Sequence, residues 1–174
     1  MRISMDAVDW EAYLAAWQKK GESLMLSDGE KAGWLHSTPQ TIENDSMIMN
    51  EEIGEAFGQI RHALPNDLAK TMHEFIGGFC LLDEFQDVPP PKDGQFTQHD
   101  VIVAVFSPES VRRYLARYET IEFNTVSNAF KQNVDTSEND GVENADEFIE
   151  YLELWGRTFR EAAQTNRGML LCVG

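Results

Sequence analysis

The residues of this chain that are most concentrated in a form able to do chemistry are carboxylates. The segment from Asp135 to Glu153 contains eight of the 30 acidic residues and no lysine or arginine. Carboxylates at this density can coordinate a hard cation, attract a basic partner or act as general acids and bases. The candidate binding residues of this acidic segment are Asp135, Glu138, Asp140, Glu143, Asp146, Glu147 and Glu150.

Within the acidic segment, TSENDGVENADE partly matches a calcium-binding loop. Such a loop has oxygen ligands at positions 1, 3 and 5, glycine at position 6 and glutamate at position 12. Glu138, Asp140 and Glu147 match positions 3, 5 and 12, and a glycine follows Asp140. Thr136 stands at position 1, where aspartate normally supplies a charge. We therefore predict an acidic loop that precedes a helix and no metal site, with calcium binding as the alternative.

A second group that could do chemistry consists of His73, Asp83 and Glu84. The two carboxylates precede three consecutive prolines and could form a pair for acid-base work, or could simply be solvated at the start of a loop. His62 and His73 lie on neighbouring predicted helices and could face one another, or each could simply be hydrogen-bonded or exposed. The sequence thus offers a pocket near His73, Asp83 and Glu84 as an alternative site.

Recognised catalytic and cofactor motifs are absent from the sequence. It contains no HExxH, GxSxG, GxGxxG or CxxC pattern, so we predict no catalytic residue, no cofactor and no metal ligand. Cys80 and Cys172 both lie in apolar runs, where cysteine behaves as a small hydrophobic residue. Two such cysteines, without the spacing of a redox motif, are typical of a protein in a reducing cytoplasm.

Charge limits the class of partner. The net charge of −16 repels phosphate backbones and anionic lipid, so we predict that the chain binds neither nucleic acid nor membranes. The sequence has no run of about 18 apolar residues and no recognisable export signal. We expect a cytoplasmic protein. The same charge favours a basic protein partner, or else serves only to keep the protein soluble.

The acidic segment continues into the part of the chain with the clearest hydrophobic pattern. Apolar residues alternate at steps of four and three, which predicts an α-helix with one buried face. Gly168 then precedes a short apolar run, Met169 to Val173, which predicts a buried strand in a sheet that Val101 to Phe106 also joins. The residues of the helical stripe are Phe148, Leu152, Trp155, Phe159 and Ala162.

The rest of the chain supplies further helices. Ser4 or Asp6 is predicted to cap a first helix that ends at Gly21, and Ser107 followed by proline is predicted to cap another. Two amphipathic helices meet at Pro65 and should pack as an antiparallel pair, whereas residues 83–97 are predicted to be a connection without regular structure. With 174 residues, we predict one α+β domain over residues 1–174.

Three segments resemble a known family. These are DLAKTMHEFIGGFCLL, the strand followed by Ser107-Pro108-Glu109-Ser110-Val111, and the closing FIEYLELWGRTFREAAQTNRGMLLCV. Together they are similar to the YfbM-like family of small bacterial proteins, a domain-of-unknown-function family, with Met72 where that family usually has tryptophan. The resemblance implies a mixed α and β domain in the bacterial cytoplasm and supplies no catalytic residues.

From these observations we predict a small acidic protein without catalytic apparatus that binds a basic protein partner, in the manner of an immunity or inhibitor protein. The alternative is an uncharacterised enzyme or small-ligand-binding protein that uses the pocket near His73, Asp83 and Glu84. A third hypothesis is an accessory structural subunit. The sequence does not favour any oligomeric state.

Overall fold

The computed structural model describes residues 3–37, 48–77, 94–98, 101–135 and 142–173. These residues form seven α-helices and five β-strands, with short 3-10 turns that include Arg61–Ala63. In chain order the elements are β1 (Ile3–Val8), α1 (Trp10–Lys20), α2 (Leu26–Ala32), β2 (Leu35–Ser37), α3 (Ile48–Ile60), α4 (Asn66–Ile76), β3 (Gly94–Gln98), β4 (Val101–Phe106), α5 (Pro108–Tyr118), α6 (Phe123–Asn133), α7 (Ala145–Gln164) and β5 (Gly168–Val173).

The strands form one antiparallel sheet in the order β2-β1-β5-β4-β3. β5 lies in the middle, where Leu171 pairs with Met5 of β1 on one side and with Ala104 of β4 on the other. The prediction that the last apolar run is a strand buried in a sheet built by earlier residues is confirmed. β4 also has a neighbour on each side, as its uniformly apolar sequence predicts.

The larger hydrophobic core lies between one face of the sheet and helices α3 to α7. Phe159 of α7 is at its centre, with its ring centre 5.5 Å from that of Tyr114 and 5.7 Å from that of Phe106. Every member of the stripe predicted on α7 is buried, because that face of the helix packs on the sheet and on α5. The fold is therefore α+β, as predicted.

A smaller, aromatic core covers the opposite face of the sheet. Tyr13 of α1 lies against Trp34, with ring centres 5.8 Å apart, over Val8 and Leu170. The Tyr13 hydroxyl is buried and has no hydrogen-bond partner among the described residues, and burial raises the pKa of Tyr13. Cys172 is also buried in this core, as its apolar context predicts.

Two boundaries differ from the prediction. Ser4 and Asp6 do not cap a helix, because residues 3–8 form β1 and pair with β5, and α1 begins only at Trp10. The predicted connection over residues 83–97 is wrong at its end, since Gly94–Gln98 forms the edge strand β3. Its earlier part, including Asp83 and Glu84, lies outside the described residues.

Helix packing also differs from the prediction that the two helices joined at Pro65 form an antiparallel pair. α3 packs mainly on α6, and α4 mainly on α5, so the helices joined at Pro65 are not each other's main neighbours. The prediction that Ser107 caps a helix is confirmed, because its hydroxyl accepts a hydrogen bond from the backbone N–H of Ser110. None of the helices in the described ranges is long and apolar enough to cross a membrane.

Candidate functional site

An acidic groove runs between α6 and α7, with a cavity volume of about 510 Å³. One wall carries the carboxylates of Asp146, Glu150 and Glu153 from α7. The groove combines these charges with apolar and neutral polar surface and with one cation, Arg157. We call this feature the acidic groove; its lining residues are Phe123, Asn124, Ser127, Asp146, Ile149, Glu150, Glu153 and Arg157.

Helical periodicity explains why α7 presents its carboxylates to this groove. Asp146, Glu150 and Glu153 are spaced by four and three residues, which keeps them on one face of the helix. The buried stripe occupies a different face, so burial of the stripe turns the carboxylates toward α6 and solvent. The start of the helix is fixed by Asn144, whose side-chain oxygen accepts from the backbone N–H groups of Asp146 at 3.0 Å and Glu147 at 2.9 Å.

Glu147 has a structural role in this segment. One of its carboxylate oxygens accepts a hydrogen bond from the backbone N–H of Glu143 at 2.7 Å, and the other accepts from the Tyr151 hydroxyl at 3.1 Å. These contacts hold the residues before α7 against the first turn of the helix. The Glu147 carboxylate is therefore engaged within the protein.

Unlike Glu147, the three carboxylates of the groove have no structural hydrogen bonds among the described residues. The side chains of Asp146, Glu150 and Glu153 are exposed and form no hydrogen bond or ion pair within the described ranges of the chain. Phe123 of α6 and Ile149 of α7 are both half-buried and supply the apolar part of the groove lining, which we call its apolar floor. Protein interfaces in general combine a polar rim with a more apolar centre.

Tyr118 supports the apolar floor from behind. Its ring centre is 5.6 Å from that of Phe123, and the guanidinium of Arg160 lies 5.6 Å from the Tyr118 ring. A Cβ at Gly156 would come within 2.2 Å of this ring, so glycine allows α7 to approach it closely. Burial, followed by the nearby Glu153 charge, raises the pKa of Tyr118.

A smaller depression of about 240 Å³ lies at the beginning of α7. Glu143 and Asp146 line it together with Lys131 of α6 and the apolar side chains of Phe130 and Val134. Asp146 borders both this depression and the acidic groove. The two features therefore adjoin at the first turn of α7.

The structure thus brings together only part of the predicted acidic site. Glu143, Asp146 and Glu150 share the surface around α7, and Asp135 is exposed in the segment that follows α6. Glu138 and Asp140 lie outside the described residues. Prediction from sequence omitted Glu153 and the wall from α6, although the four-and-three spacing of the carboxylates indicates that Glu153 belongs to the same face.

The alternative site is a depression of about 410 Å³ where the turn Arg61–Ala63 meets α4. His62 and His73 line this depression together with Arg61 and Lys70, and both histidines are exposed. The His73 ring stacks on Phe57 with ring centres 6.4 Å apart. We call this feature the basic depression. Asp83 and Glu84, its other predicted members, lie outside the described residues.

A third charged cluster joins distant parts of the chain. Asp9 accepts hydrogen bonds from His36 Nε2 and Arg167 Nε, each at 3.1 Å, and so links the start of α1 to β2 and to the residue before β5. The His36 hydrogen bond, together with the weaker contribution of Arg167, holds the pKa of Asp9 below its usual value despite partial desolvation. This arrangement stabilises one end of the sheet.

The part of the chain that the structure describes contains no candidate metal site. Within it, no group of three or more His, Cys, Asp or Glu side chains is placed to hold an ion. The calcium-loop alternative depends on Glu138, Asp140 and Gly141, which lie outside the described residues. Glu147, at position 12 of that loop, instead accepts hydrogen bonds from the Glu143 backbone N–H and the Tyr151 hydroxyl.

Comparisons with known proteins do not identify a relative. No family model, no curated protein and no solved structure matches the chain. The resemblance to the YfbM-like family stays a prediction.

Proposed function

We propose that this chain is a non-catalytic protein that binds a basic protein partner through the acidic groove, in the manner of an immunity or inhibitor protein. The observation that supports this best is a row of three carboxylates without internal partners, set beside an apolar floor. A cytoplasmic location and membership of the YfbM-like family belong to the same proposal.

The groove suits a partner segment that is both basic and apolar. Consecutive groove carboxylates lie about one helical turn, or roughly 5 Å, apart along α7. Lysine or arginine side chains on successive turns of a partner helix match this spacing, and their aliphatic stems can cover Phe123 and Ile149. Arg157, near the last carboxylate of the row, would repel a basic side chain and so sets where the basic segment ends.

Charge and apolar surface have separate roles in this interaction. The net charge of −16 accelerates encounter with a basic partner over long distances and is screened by salt. Burial of the apolar floor and short-range ion pairs at the groove then slow dissociation. The proposal therefore predicts an interaction that weakens with ionic strength but still depends on the groove itself.

Affinity capture from the native host tests the proposal at low and at moderate salt. The bait is the wild-type chain beside a groove variant, Asp146→Asn with Glu150→Gln and Glu153→Gln. The matched control is Glu11→Gln with Glu109→Gln and Glu161→Gln. It removes an equal number of negative charges, from exposed positions outside the groove. A basic protein recovered by the wild type and the control, but not by the groove variant, supports the proposal. Equal recovery by both variants contradicts it.

The basic depression supports a second candidate function, the binding of a small molecule. Four cationic or protonatable side chains, those of Arg61, His62, Lys70 and His73, line one concave surface in a chain that is otherwise strongly acidic. This arrangement favours an anionic ligand over a cationic one. A screen of small anions by ligand-observed NMR, with neutral and cationic compounds of similar size for comparison, tests it.

A further inference from the structure

The basic depression carries an inference about the class of its ligand. We propose that it binds small molecules that contain a phosphate group. This inference rests on the second candidate function above and is independent of the acidic groove.

The donors of the depression come from two directions. The turn Arg61–Ala63 supplies Arg61 and His62, while α4 supplies Lys70 and His73, which are three residues apart and share a helical face. Arginine and lysine offer several N–H donors, and each histidine ring offers at least one. A tetrahedral phosphate presents acceptor oxygens in several directions and can be shared by donors on both walls, whereas a planar carboxylate is satisfied by a single arginine.

These donors are available to a ligand. Arg61 and His62 are exposed and form no hydrogen bond or ion pair within the described ranges. Lys70 is 76% exposed, and its ammonium is 4.0 Å from a carboxylate oxygen of Glu74. Glu74 lies closer to Arg117, at 3.0 Å, so its main ion pair is with α5 and Lys70 can turn toward a ligand.

The dimensions of the depression favour an organic phosphate over the free ion. Its volume of about 410 Å³ exceeds what a single phosphate needs, and Leu64 and Ala69 add apolar surface to its lining. A ligand can therefore place its phosphate among the four donors and its organic portion against these two side chains. Phenyl phosphate is a simple probe of this arrangement.

Titration of the full chain with phenyl phosphate, followed by two-dimensional amide NMR, tests the inference. We expect saturable shifts confined to residues 61–73, and about tenfold weaker binding in Arg61→Gln, because one charge-assisted hydrogen bond is lost. Lys19→Gln, an exposed position at the end of α1, removes the same charge elsewhere and should leave the affinity unchanged. Circular dichroism melting of each variant establishes that it is folded.

Parallel titrations with inorganic phosphate and with benzoate distinguish failure of the phosphate assignment from failure of the small-ligand function. Weaker binding of benzoate than of phenyl phosphate supports a phosphate site. If benzoate binds residues 61–73 as tightly, the small-ligand function stands and the phosphate assignment is overturned. No saturable shift with either phosphate, or equal losses in Arg61→Gln and Lys19→Gln, also overturns it. None of these outcomes bears on partner capture by the acidic groove.

Discussion

The acidic groove and the Asp9 cluster both depend on carboxylates, but the fold uses them differently. Asp9 is held between His36 and Arg167 and joins three parts of the chain. Glu150 and Glu153 project from one helix and form no hydrogen bond or ion pair in the described ranges. Carboxylates bound within the protein contribute to its stability, whereas those without internal partners remain available for recognition. The two regions should therefore respond oppositely to the same kind of substitution.

Charge reversal in the groove should give the largest effect. We expect Glu150→Lys to weaken binding of the captured basic partner by about a hundredfold, because like charges facing each other across an interface cost several kcal/mol. The stability of the free chain should change by less than about 0.5 kcal/mol. Calorimetric titration measures the affinity and urea unfolding the stability. Glu161→Lys on the same helix is the control, and equal losses in both variants would count against the groove.

The packing behind the groove should give the next largest effect. Gly156→Ala places a Cβ within 2.2 Å of the Tyr118 ring, which is held between Phe75 and Phe123. We expect a loss of about 2 kcal/mol in the free energy of unfolding, measured by urea denaturation.

The matched control for this substitution is Gly58→Ala in α3, where a Cβ would meet no atom within 4 Å. Alanine should there stabilise the helix by up to about 1 kcal/mol. A Gly156→Ala protein as stable as Gly58→Ala would show that Tyr118 does not restrain α7.

In the Asp9 cluster, formed by Asp9, His36 and Arg167, loss of a charge should lower the stability of the chain and leave partner affinity unchanged. Asp9→Asn removes the charge that holds His36 and Arg167, and we expect it to destabilise the chain by about 1 kcal/mol. The estimate is modest because the Asp9 side chain is 47% exposed and its contacts are screened by water. Partner affinity should not change. Glu11→Gln, an exposed position nearby, is the control, and its stability should match the wild type.

Acidification should remove the contribution of Asp9 in a defined direction. Because the pKa of Asp9 is lower in the folded chain than its ordinary value of 3.8, its stabilising effect is present above that value and is lost as pH falls through the folded pKa. The difference in melting temperature between wild type and Asp9→Asn should shrink between about pH 5 and about pH 2. A difference that stays constant or grows would contradict this assignment.

Strong hydrophobic periodicity made the C-terminal half of the fold predictable. The stripe of α7 and the apolar run of β5 both consist of residues that favour burial, and their described side chains are buried in the structure. The Ser107 cap was equally clear, since the serine and the following proline act locally. Local signals of this kind do not depend on the rest of the chain.

Elements that depend on distant partners were missed. Ser4 and Asp6 have the composition of helix caps, but pairing with Cys172 and Leu170 of β5, which are far away in the sequence, makes them part of β1. Gly94–Gln98 is an edge strand with little apolar character, so its pattern resembles a loop. The acidic wall of the groove was visible in sequence, but the wall from α6 follows from helix packing, which sequence does not fix.

Mapping of the captured partner on the chain by amide NMR shifts tests the central claim most directly. The acidic groove predicts that the largest shifts fall on residues 123–127 of α6 and 146–157 of α7, and that they disappear in the variant lacking the three groove charges. Largest shifts at the sheet edge β3, or around residues 61–73, would contradict the assignment of the partner site to this groove.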